Sequence, residues 1–319
     1  MKAFAKKTFL ALKNPYHTVE HVYPNVIDEV EPTLEKYGYA YYTGYKQTEA
    51  IPQSLIQRLE TCGFLTHTRD KMSLGGRAVD MQLINPLTGK PMTGSSSGTA
   101  LNVFYRINDL GVGTDGGGSV LAPAAALNLY GFLPPLLEKE AMKKFQKIST
   151  DGISFSPSLG FISRDRETLD RVVSGLLSLD LSGESKALAT EVKEGIDIYG
   201  ARGELISYLT ETVKSGMVLV SREGPVDLHG MGDSVFGHFD RGTQVMQRSS
   251  GKGLMRVANM CGLSAVTIPG RELGVCTVLL CSSSLPDIRE MLLLAKKYEV
   301  AADEMTERYF GNLNMYFEA

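Results

Sequence analysis

Apolar residues recur at helical spacing in four segments of the chain. Each segment predicts an amphipathic helix, and the segments are residues 52–61, 166–177, 205–213 and 286–298. Ser284 is the predicted N-cap of the last of these helices. Shorter apolar runs predict buried strands at residues 64–68, 110–114, 217–220, 264–268 and 275–281. Because strands and helices alternate throughout, the pattern predicts one α/β layer fold around a mostly buried sheet, with residues 1–319 in a single domain.

The N-terminal apolar run, KTFLAL at residues 7–12, predicts a short strand that ends at Lys13, just before Asn14 and Pro15. Its apolar patch is only about six residues long, shorter than the core of a secretory signal, so we prefer a strand to a signal peptide. Residues 16–46 are polar and rich in tyrosine, and we interpret them as loops with short elements. Lys13 is therefore a candidate lysine at the end of a buried strand.

Glycine and serine are concentrated in two clusters, GSSSG at residues 94–98 and GTDGGGS at residues 113–119. A predicted helix at 98–107 and the strand at 110–114 lie between them, and another helix is predicted at 120–129. Glycine loses more conformational entropy on folding than any other residue, so dense glycine belongs where the backbone turns sharply or approaches a ligand. The two clusters together form a candidate active site.

Ser119 is the best candidate for a nucleophile, because it follows three glycines and precedes a predicted helix. The backbone amides of Gly116, Gly117 and Gly118 are expected to stabilise an oxyanion beside it, as acyl transfer requires. Asp115 is expected to hold this loop through side-chain-to-backbone hydrogen bonds.

A serine hydroxyl is a poor nucleophile until a base takes its proton. None of the five histidines lies near either glycine cluster in sequence. The alternative base is a lysine that burial keeps neutral and that acts through a second hydroxyl. Lys13 and Ser95 are the candidates for this pair.

Composition narrows the classes of function. A net charge of −3 and a pI near 6.0 give no reason to expect nucleic acid or an anionic membrane as a partner. No apolar run approaches the roughly 20 residues of a membrane-spanning helix. The four cysteines show neither CxxC pairing nor zinc-like Cys/His spacing. We therefore expect reduced thiols, a cytoplasmic location, and no metal or cofactor.

The two clusters resemble the motifs of the amidase signature family. GSSSGTA at residues 94–100 is similar to the family motif GGSSGGSA, and GTDGGGSVLAPA at residues 113–124 is similar to GTDTGGSIRxPA. The interval from Ser95 to Ser119 matches the family without a gap. Residues 7–14 resemble the strand that ends in the family's catalytic lysine, and the similarity continues in order to residues 259–269.

This resemblance implies a mixed, twisted central sheet covered by helices on both faces. It also implies an amidohydrolase that cleaves a small carboxamide or other non-peptide amide through an acyl-serine intermediate. Ser119 would be the nucleophile and Ser95 the bridging serine, after a cis peptide bond. Lys13 would be the general base and later the acid. For Ser96 two roles stay open, a hydrogen bond near the nucleophile or the filling of the loop.

Departures from the family pattern leave alternatives open. Gly116 replaces the usual threonine, and Leu121 stands where the family has an arginine. A catalytically impaired binding protein, an acyltransferase or amide-forming enzyme, and an amidotransferase subunit with a partner chain are the alternatives. Lys36 and Lys71 are the reserve candidates for the base, and a homodimer is left open.

Overall fold

A ten-stranded mixed sheet organises the computed structural model, which describes residues 1–301, 303–313 and 317. The strands, in spatial order from one edge to the other, are β1 (Val19–Val22), β3 (Phe64–Asp70), β2 (Tyr41–Lys46), β6 (Leu110–Asp115), β10 (Ser158–Ser163), β7 (Tyr130–Leu133), β13 (Ser264–Pro269), β14 (Cys276–Cys281), β12 (Met217–Glu223) and β11 (Leu188–Glu191). β2 is parallel to both of its neighbours, and β11 is parallel to β12. The other neighbouring pairs are antiparallel.

Two small hairpin-like sheets lie outside the large one. β4 (Val79–Ile84) pairs with β5 (Pro91–Thr93), and β8 (Lys147–Ile148) pairs with β9 (Ser154–Phe155). The first leads directly into the GSSSG cluster. The second carries residues that line the candidate site described below.

Helices cover both faces of the large sheet. One face packs against α3 (Gln53–Glu60), α7 (Arg166–Leu177) and α10 (Leu285–Ala295); the other packs against α4 (Ser97–Phe104), α5 (Leu121–Ala126) and α8 (Arg202–Thr212). Successive strand residues point to opposite faces, so on β12 Val218 packs in the first layer and Leu219 in the second. The remaining described α-helices are α1 (Lys2–Lys13), α2 (Ile27–Tyr37), α6 (Lys139–Met142), α9 (Arg241–Arg248) and α11 (Glu304–Phe310).

The composition of α4 and α5 matches their position in the core. Their sequences, SGTALNVF and LAPAAA, contain no charged residue, and every residue of both helices is buried. Small side chains let both helices lie close to the sheet. Among the described residues, no helix combines the length and the apolar character that a membrane span requires.

Most of the periodic segments form the elements that the pattern predicts. The predicted helices correspond to α3, α7, α8 and α10, and the predicted strands to β3, β6, β12, β13 and β14. The Ser284 hydroxyl accepts a hydrogen bond from the Asp287 amide at 3.2 Å and caps α10 as expected. The predicted fold class, a mixed sheet with helices on both faces, is confirmed.

The prediction for the N-terminal run is wrong, because residues 7–12 lie within helix α1 rather than a strand. Leu10 and Ala11 are buried while Phe9 and Leu12 are exposed, which is a helical pattern and not the alternation of a strand. A short apolar run does not by itself distinguish the two.

The interpretation of residues 16–46 as loops with short elements is also wrong. This segment contains β1, α2 and the central strand β2, whose sequence is YYTGYK. Tyrosine is a strong strand former, but the run is too short and polar to show a period. The five residues from Tyr42 to Lys46 are all buried.

Gly44 allows β2 to pass close to a buried polar network. A Cβ at this position would lie 2.1 Å from Asn108 Nδ2 and 2.3 Å from Asp70 Oδ2. Asn108 donates to Thr68 Oγ1 at 2.7 Å, and Thr68 donates to Asp70 Oδ1 at 2.6 Å. Since Lys46 follows Gly44 by two residues, this close contact fixes where that lysine leaves the sheet.

We expect Gly44→Ala to lower the free energy of unfolding by about 1–3 kcal/mol, because the added methyl overpacks a buried contact. Urea denaturation measures the change. Gly203→Ala is the matched control, since Gly203 is an exposed residue of α8 with no atom within 4 Å of an added Cβ. That variant is expected to gain about 0.5–1 kcal/mol from helix propensity. Equal effects of the two substitutions would contradict this account of β2.

Candidate active site

Three polar residues are grouped around one cavity of about 320 Å³. Lys46 ends β2, Ser95 lies in the turn between β5 and α4, and Ser119 stands just before α5. All three residues line the cavity. The sheet and its two fully buried helices therefore join residues that are far apart in the chain.

The turn that carries Ser95 depends on glycine. Gly94 has φ +76°, a conformation that residues with a Cβ rarely adopt. A Cβ at Gly94 would also lie 2.5 Å from Cδ of Pro123, in the first turn of α5. Gly94 thus lets the two serine loops approach each other, and the Ser96 amide donates to the Ser119 carbonyl at 3.3 Å across the gap.

The Lys46 amine is held by hydroxyl groups. Its Nζ donates to Ser95 Oγ at 2.7 Å and to Thr114 Oγ1 at 2.9 Å. The side chain is only 5% exposed, and among the described residues no carboxylate forms an ion pair with it. An amine in these surroundings loses hydration without gaining a direct ion pair.

Burial lowers the pKa of Lys46 to about 7, from an ordinary value of 10.5. Loss of hydration is the largest cause, because a buried site disfavours the charged form. The buried carboxylate of Asp115 opposes this shift, and the charge of Lys147 adds to it. A large fraction of Lys46 is therefore neutral near pH 7, as a general base must be.

The prediction that Lys13 is the lysine of this site is corrected. Lys13 is an exposed residue in the last turn of α1, and it does not line the cavity. Lys36 is exposed on α2, and Lys71 contacts Thr18 through its backbone amide. The expected feature, a lysine at the end of a buried strand, is present at Lys46. The sequence did not reveal it because β2 has no clear alternation of apolar and polar residues.

The peptide bond before Ser95 is trans, which corrects a second expectation. Within the described residues, the cis peptide bond is the one between Gly224 and Pro225. Ser95 nevertheless lies 96% buried with its hydroxyl on Lys46. The left-handed conformation of Gly94 supplies the sharp turn at this point.

Asp115 holds the glycine-rich loop, as expected from the sequence. Its carboxylate accepts hydrogen bonds from the amides of Gly118 at 2.6 Å, Val120 at 2.6 Å and Leu121 at 3.2 Å. Burial raises the pKa of Asp115, and these amide donors oppose that shift. The carboxylate therefore fixes the start of α5 and the backbone on both sides of Ser119.

These hydrogen bonds reduce the set of backbone amides that could stabilise an oxyanion, which was expected to include Gly116, Gly117 and Gly118. The Gly118 amide is used by Asp115, so it does not point freely into the cavity. Gly116 and Gly117 do line the cavity. The structure thus brings two of the three predicted glycines into the lining of the cavity that Ser119 also lines.

Ser96 does not contribute a side chain to the cavity. Its hydroxyl is fully buried and, among the described residues, has no hydrogen-bond partner. It packs beside Gly113, where an added Cβ would lie 2.5 Å from Ser96 Oγ. Its expected role near the nucleophile is therefore confined to the backbone amide that binds the Ser119 carbonyl.

Two further residues support the site without having been singled out for it. Thr114 shares the Lys46 amine, and Asn259 donates to the carbonyls of Ser156 at 2.8 Å and Gly116 at 3.4 Å. Asn259 also accepts from Ser158 Oγ at the start of β10. Two signals were available in the sequence: Thr114 lies directly before Asp115, and Asn259 is the first residue of segment 259–269, which resembles the family pattern.

The rest of the cavity wall combines apolar, polar and charged side chains, and Lys147 is one of the charged residues. Met72, Phe145, Ile148, Phe155 and Met260 provide the apolar part. Arg77 pairs with Asp233 at 2.7 Å and Arg202 with Asp151 at 2.7 Å, and all but Asp151 line the cavity.

Four other basic residues lie outside the cavity lining. Arg256 donates to backbone carbonyls, and Arg271, His229 and His238 are exposed. In the described part of the chain, no cluster of three or more His, Cys, Asp or Glu side chains has the arrangement of a metal site.

Comparison with known proteins identifies related sequences. The model of the family described as Amidase matches residues 82–164, the segment with both serine loops. The protein "Amidase 1" of Arabidopsis thaliana is 39% identical over 89 residues, which cover 26% of this chain and 19% of that protein. The aligned segment therefore spans about a fifth of that relative's length.

Solved structures extend the similarity of fold to nearly the whole chain. A bacterial aryl acylamidase of the amidase signature family has a TM-score of 0.59 at 13% identity, with 92% of each chain covered. The peptide amidase of Stenotrophomonas maltophilia has a TM-score of 0.55 at 13% identity, covering 92% of this chain and 93% of that one.

The burial of Lys46 predicts a pH-dependent stability. Its folded pKa of about 7 is below the ordinary 10.5, so between these pH values the unfolded chain binds more protons than the folded chain. The free energy of unfolding of the wild type should therefore rise with pH relative to Lys46→Met, by at most about 1.4 kcal/mol per pH unit.

Urea denaturation at pH values of about 7 and 9 measures this difference within the expected window. Lys13→Met, which removes an exposed lysine, is the control for the loss of a lysine in general. If wild type and Lys46→Met respond to pH in parallel, Lys46 is not a buried amine with a lowered pKa.

Proposed function

We propose that this chain belongs to the amidase signature family and that it hydrolyses the C–N bond of a small amide through an acyl intermediate on Ser119. The single observation that carries the proposal is the buried Lys46 amine at 2.7 Å from Ser95 Oγ, in the cavity that Ser119 also lines. A lysine with a pKa lowered to about 7 is a competent general base near neutral pH.

The first step needs a proton path away from Ser119. Neutral Lys46 accepts the Ser95 proton, Ser95 accepts the Ser119 proton, and the Ser119 oxygen adds to the amide carbonyl carbon. The carbonyl π electrons move to oxygen and give a tetrahedral oxyanion. Ser95 is thus a relay, and the positive charge develops on Lys46 where Thr114 Oγ1 also accepts a hydrogen bond.

The amides of Gly116 and Gly117 are the proposed donors to this oxyanion. Donors that are already oriented need no reorganisation when charge develops, and losing one such donor typically costs about 10²–10³-fold in rate. The rigidity comes from Asp115, which fixes the loop after them, and from Asn259, which holds the Gly116 carbonyl.

Collapse of the intermediate expels the amine and forms the ester on Ser119. The proton on Lys46 passes back through Ser95 to the leaving nitrogen, so the same lysine acts first as base and then as acid. Water then adds to the acyl-Ser119 carbonyl with the same proton path, and the carboxylic acid leaves.

The missing arginine does not remove a group from this site. Leu121, which stands at the family's arginine position, is fully buried and packs with Met255 and Leu254 in the layer beneath α5. The proposed machinery therefore does not depend on a cation at that position, and we favour an active hydrolase over an impaired binding protein.

Substitutions at the proposed catalytic residues should show which of the two candidate lysines, Lys46 or Lys13, is needed for activity. We expect Ser119→Ala and Lys46→Ala each to lower kcat/KM by at least about 10³-fold, because serine and base act as a unit. Lys13→Ala, the matched control on an exposed lysine, should keep wild-type activity. The assay is release of ammonia from a panel of small primary amides, with circular dichroism to confirm folding.

The outcome that contradicts the proposal is retained turnover in folded Ser119→Ala. A fluorophosphonate probe tests the nucleophile independently, and we expect one adduct per chain at Ser119. Hydroxylamine added to the assay distinguishes hydrolysis from acyl transfer: a product that is almost entirely hydroxamate would favour the acyltransferase alternative.

The pH dependence of kcat/KM should report the base. Because Lys46 must be neutral to accept a proton, kcat/KM should rise with pH and level off above a pKa of about 7. Initial rates from about pH 5.5 to 9 measure this curve. A rate that stays constant across this range would exclude a lysine with the lowered pKa as the base.

A further inference from the structure

The structure assigns Phe155 as a specificity-determining residue, whose ring selects amides with an apolar aromatic acyl group. This inference rests on the proposed hydrolysis at Ser119, but it concerns a different part of the cavity. It follows from the contact between Phe155 and the glycine loop.

Gly116 is a glycine because Phe155 occupies the space of a side chain there. A Cβ at Gly116 would lie 2.3 Å from Cε2, 3.0 Å from Cζ and 3.2 Å from Cδ2 of the Phe155 ring. The φ angle of Gly116 is outside the left-handed region, so the backbone itself does not demand glycine. The ring edge therefore lies directly against the backbone whose amides are the proposed oxyanion donors.

Hydrogen bonds anchor the β8–β9 hairpin, which carries the Phe155 ring. Asn259 Nδ2 bridges the carbonyl of Ser156, the residue after Phe155, and the carbonyl of Gly116. On the far side of the β8–β9 hairpin, Arg202 donates to Asp151 at 2.7 Å and to Thr150 Oγ1 at 2.9 Å. The hairpin is thus attached at both ends, and its aromatic side chain is a fixed wall of the cavity.

Apolar residues line the cavity beside the ring, and Lys147, the cross-strand partner of Phe155 in the β8–β9 hairpin, adds one cation to the lining. Phe155 is half-buried and lines the cavity together with Phe145, Ile148 and Met260. Met260 Cε lies 3.7 Å from where a Cβ of Gly117 would stand, so apolar atoms flank both proposed oxyanion donors. An acyl group attached to Ser119 would share the cavity with this wall, because both residues line it. A flat aromatic group would gain more contact with the ring than a methyl group would.

Two amides that differ only in the acyl group test the inference. We expect Phe155→Ala to lower the ratio of kcat/KM for benzamide to that for acetamide by at least about tenfold, a typical loss for removed apolar contact in a pocket. Phe239→Ala, an exposed phenylalanine outside the cavity lining, is the matched control and should keep the wild-type ratio. A purely structural role of Phe155 would lower both rates and leave the ratio unchanged, which would overturn the inference.

Binding to the Ser119→Ala variant keeps the test independent of turnover. Isothermal titration calorimetry should show benzamide binding at least about tenfold more weakly after Phe155→Ala is added. Equal affinities would overturn the inference. If the wild type releases ammonia from neither amide while benzamide binding still depends on Phe155, the proposed hydrolysis is wrong. The inference that the Phe155 ring binds an aromatic acyl group would still be supported.

A stability measurement checks the contact itself. Gly116→Ala should lower the melting temperature in the wild type, because the new methyl meets the ring, and should lower it much less in the Phe155→Ala background. Additive losses in the double variant would show that the two positions are not in contact. Phe155→Leu, which keeps most of the apolar volume, separates loss of the ring from collapse of the hairpin.

Discussion

The candidate site depends on one buried amine that is held by hydroxyl groups instead of a carboxylate. Lys46 has Ser95 and Thr114 as its partners, and burial lowers its pKa to about 7. A carboxylate in place of either hydroxyl would stabilise the charged amine, raise its pKa and leave little of it neutral near pH 7. The buried carboxylate of Asp115 is instead occupied with backbone amides, so it organises the loop and opposes the shift only in part.

Close backbone packing is the second constraint, and it explains several of the glycines. Gly44 lets β2 pass the Asp70 network, Gly94 lets the Ser95 turn meet Pro123, and Gly116 makes room for Phe155. Each of these contacts brings one wall of the cavity to its position. The fully buried helices α4 and α5 have small, uncharged sequences for the same reason, since both start at a serine loop and pack on the sheet.

The sequence predicted the parts of this protein whose signals are local. Long amphipathic helices such as α7, the strands β13 and β14, and the cap at Ser284 were all readable from period and residue type. The two serine loops were readable because dense glycine is rarely kept without a reason. The lysine was missed because β2 is short and tyrosine-rich, while the run before Lys13 has apolar residues that suit either a strand or the helix it forms.

By itself, the sequence determined the fold class and the two candidate serines, since periodicity and loop chemistry are properties of neighbouring residues. Only the tertiary structure decided which lysine faces Ser95, which amides remain for an oxyanion, and which side chain fills the space at Gly116. These are contacts between distant segments, and burial and distance in three dimensions set both the pKa of an amine and the shape of a cavity. No local pattern in the chain records either quantity.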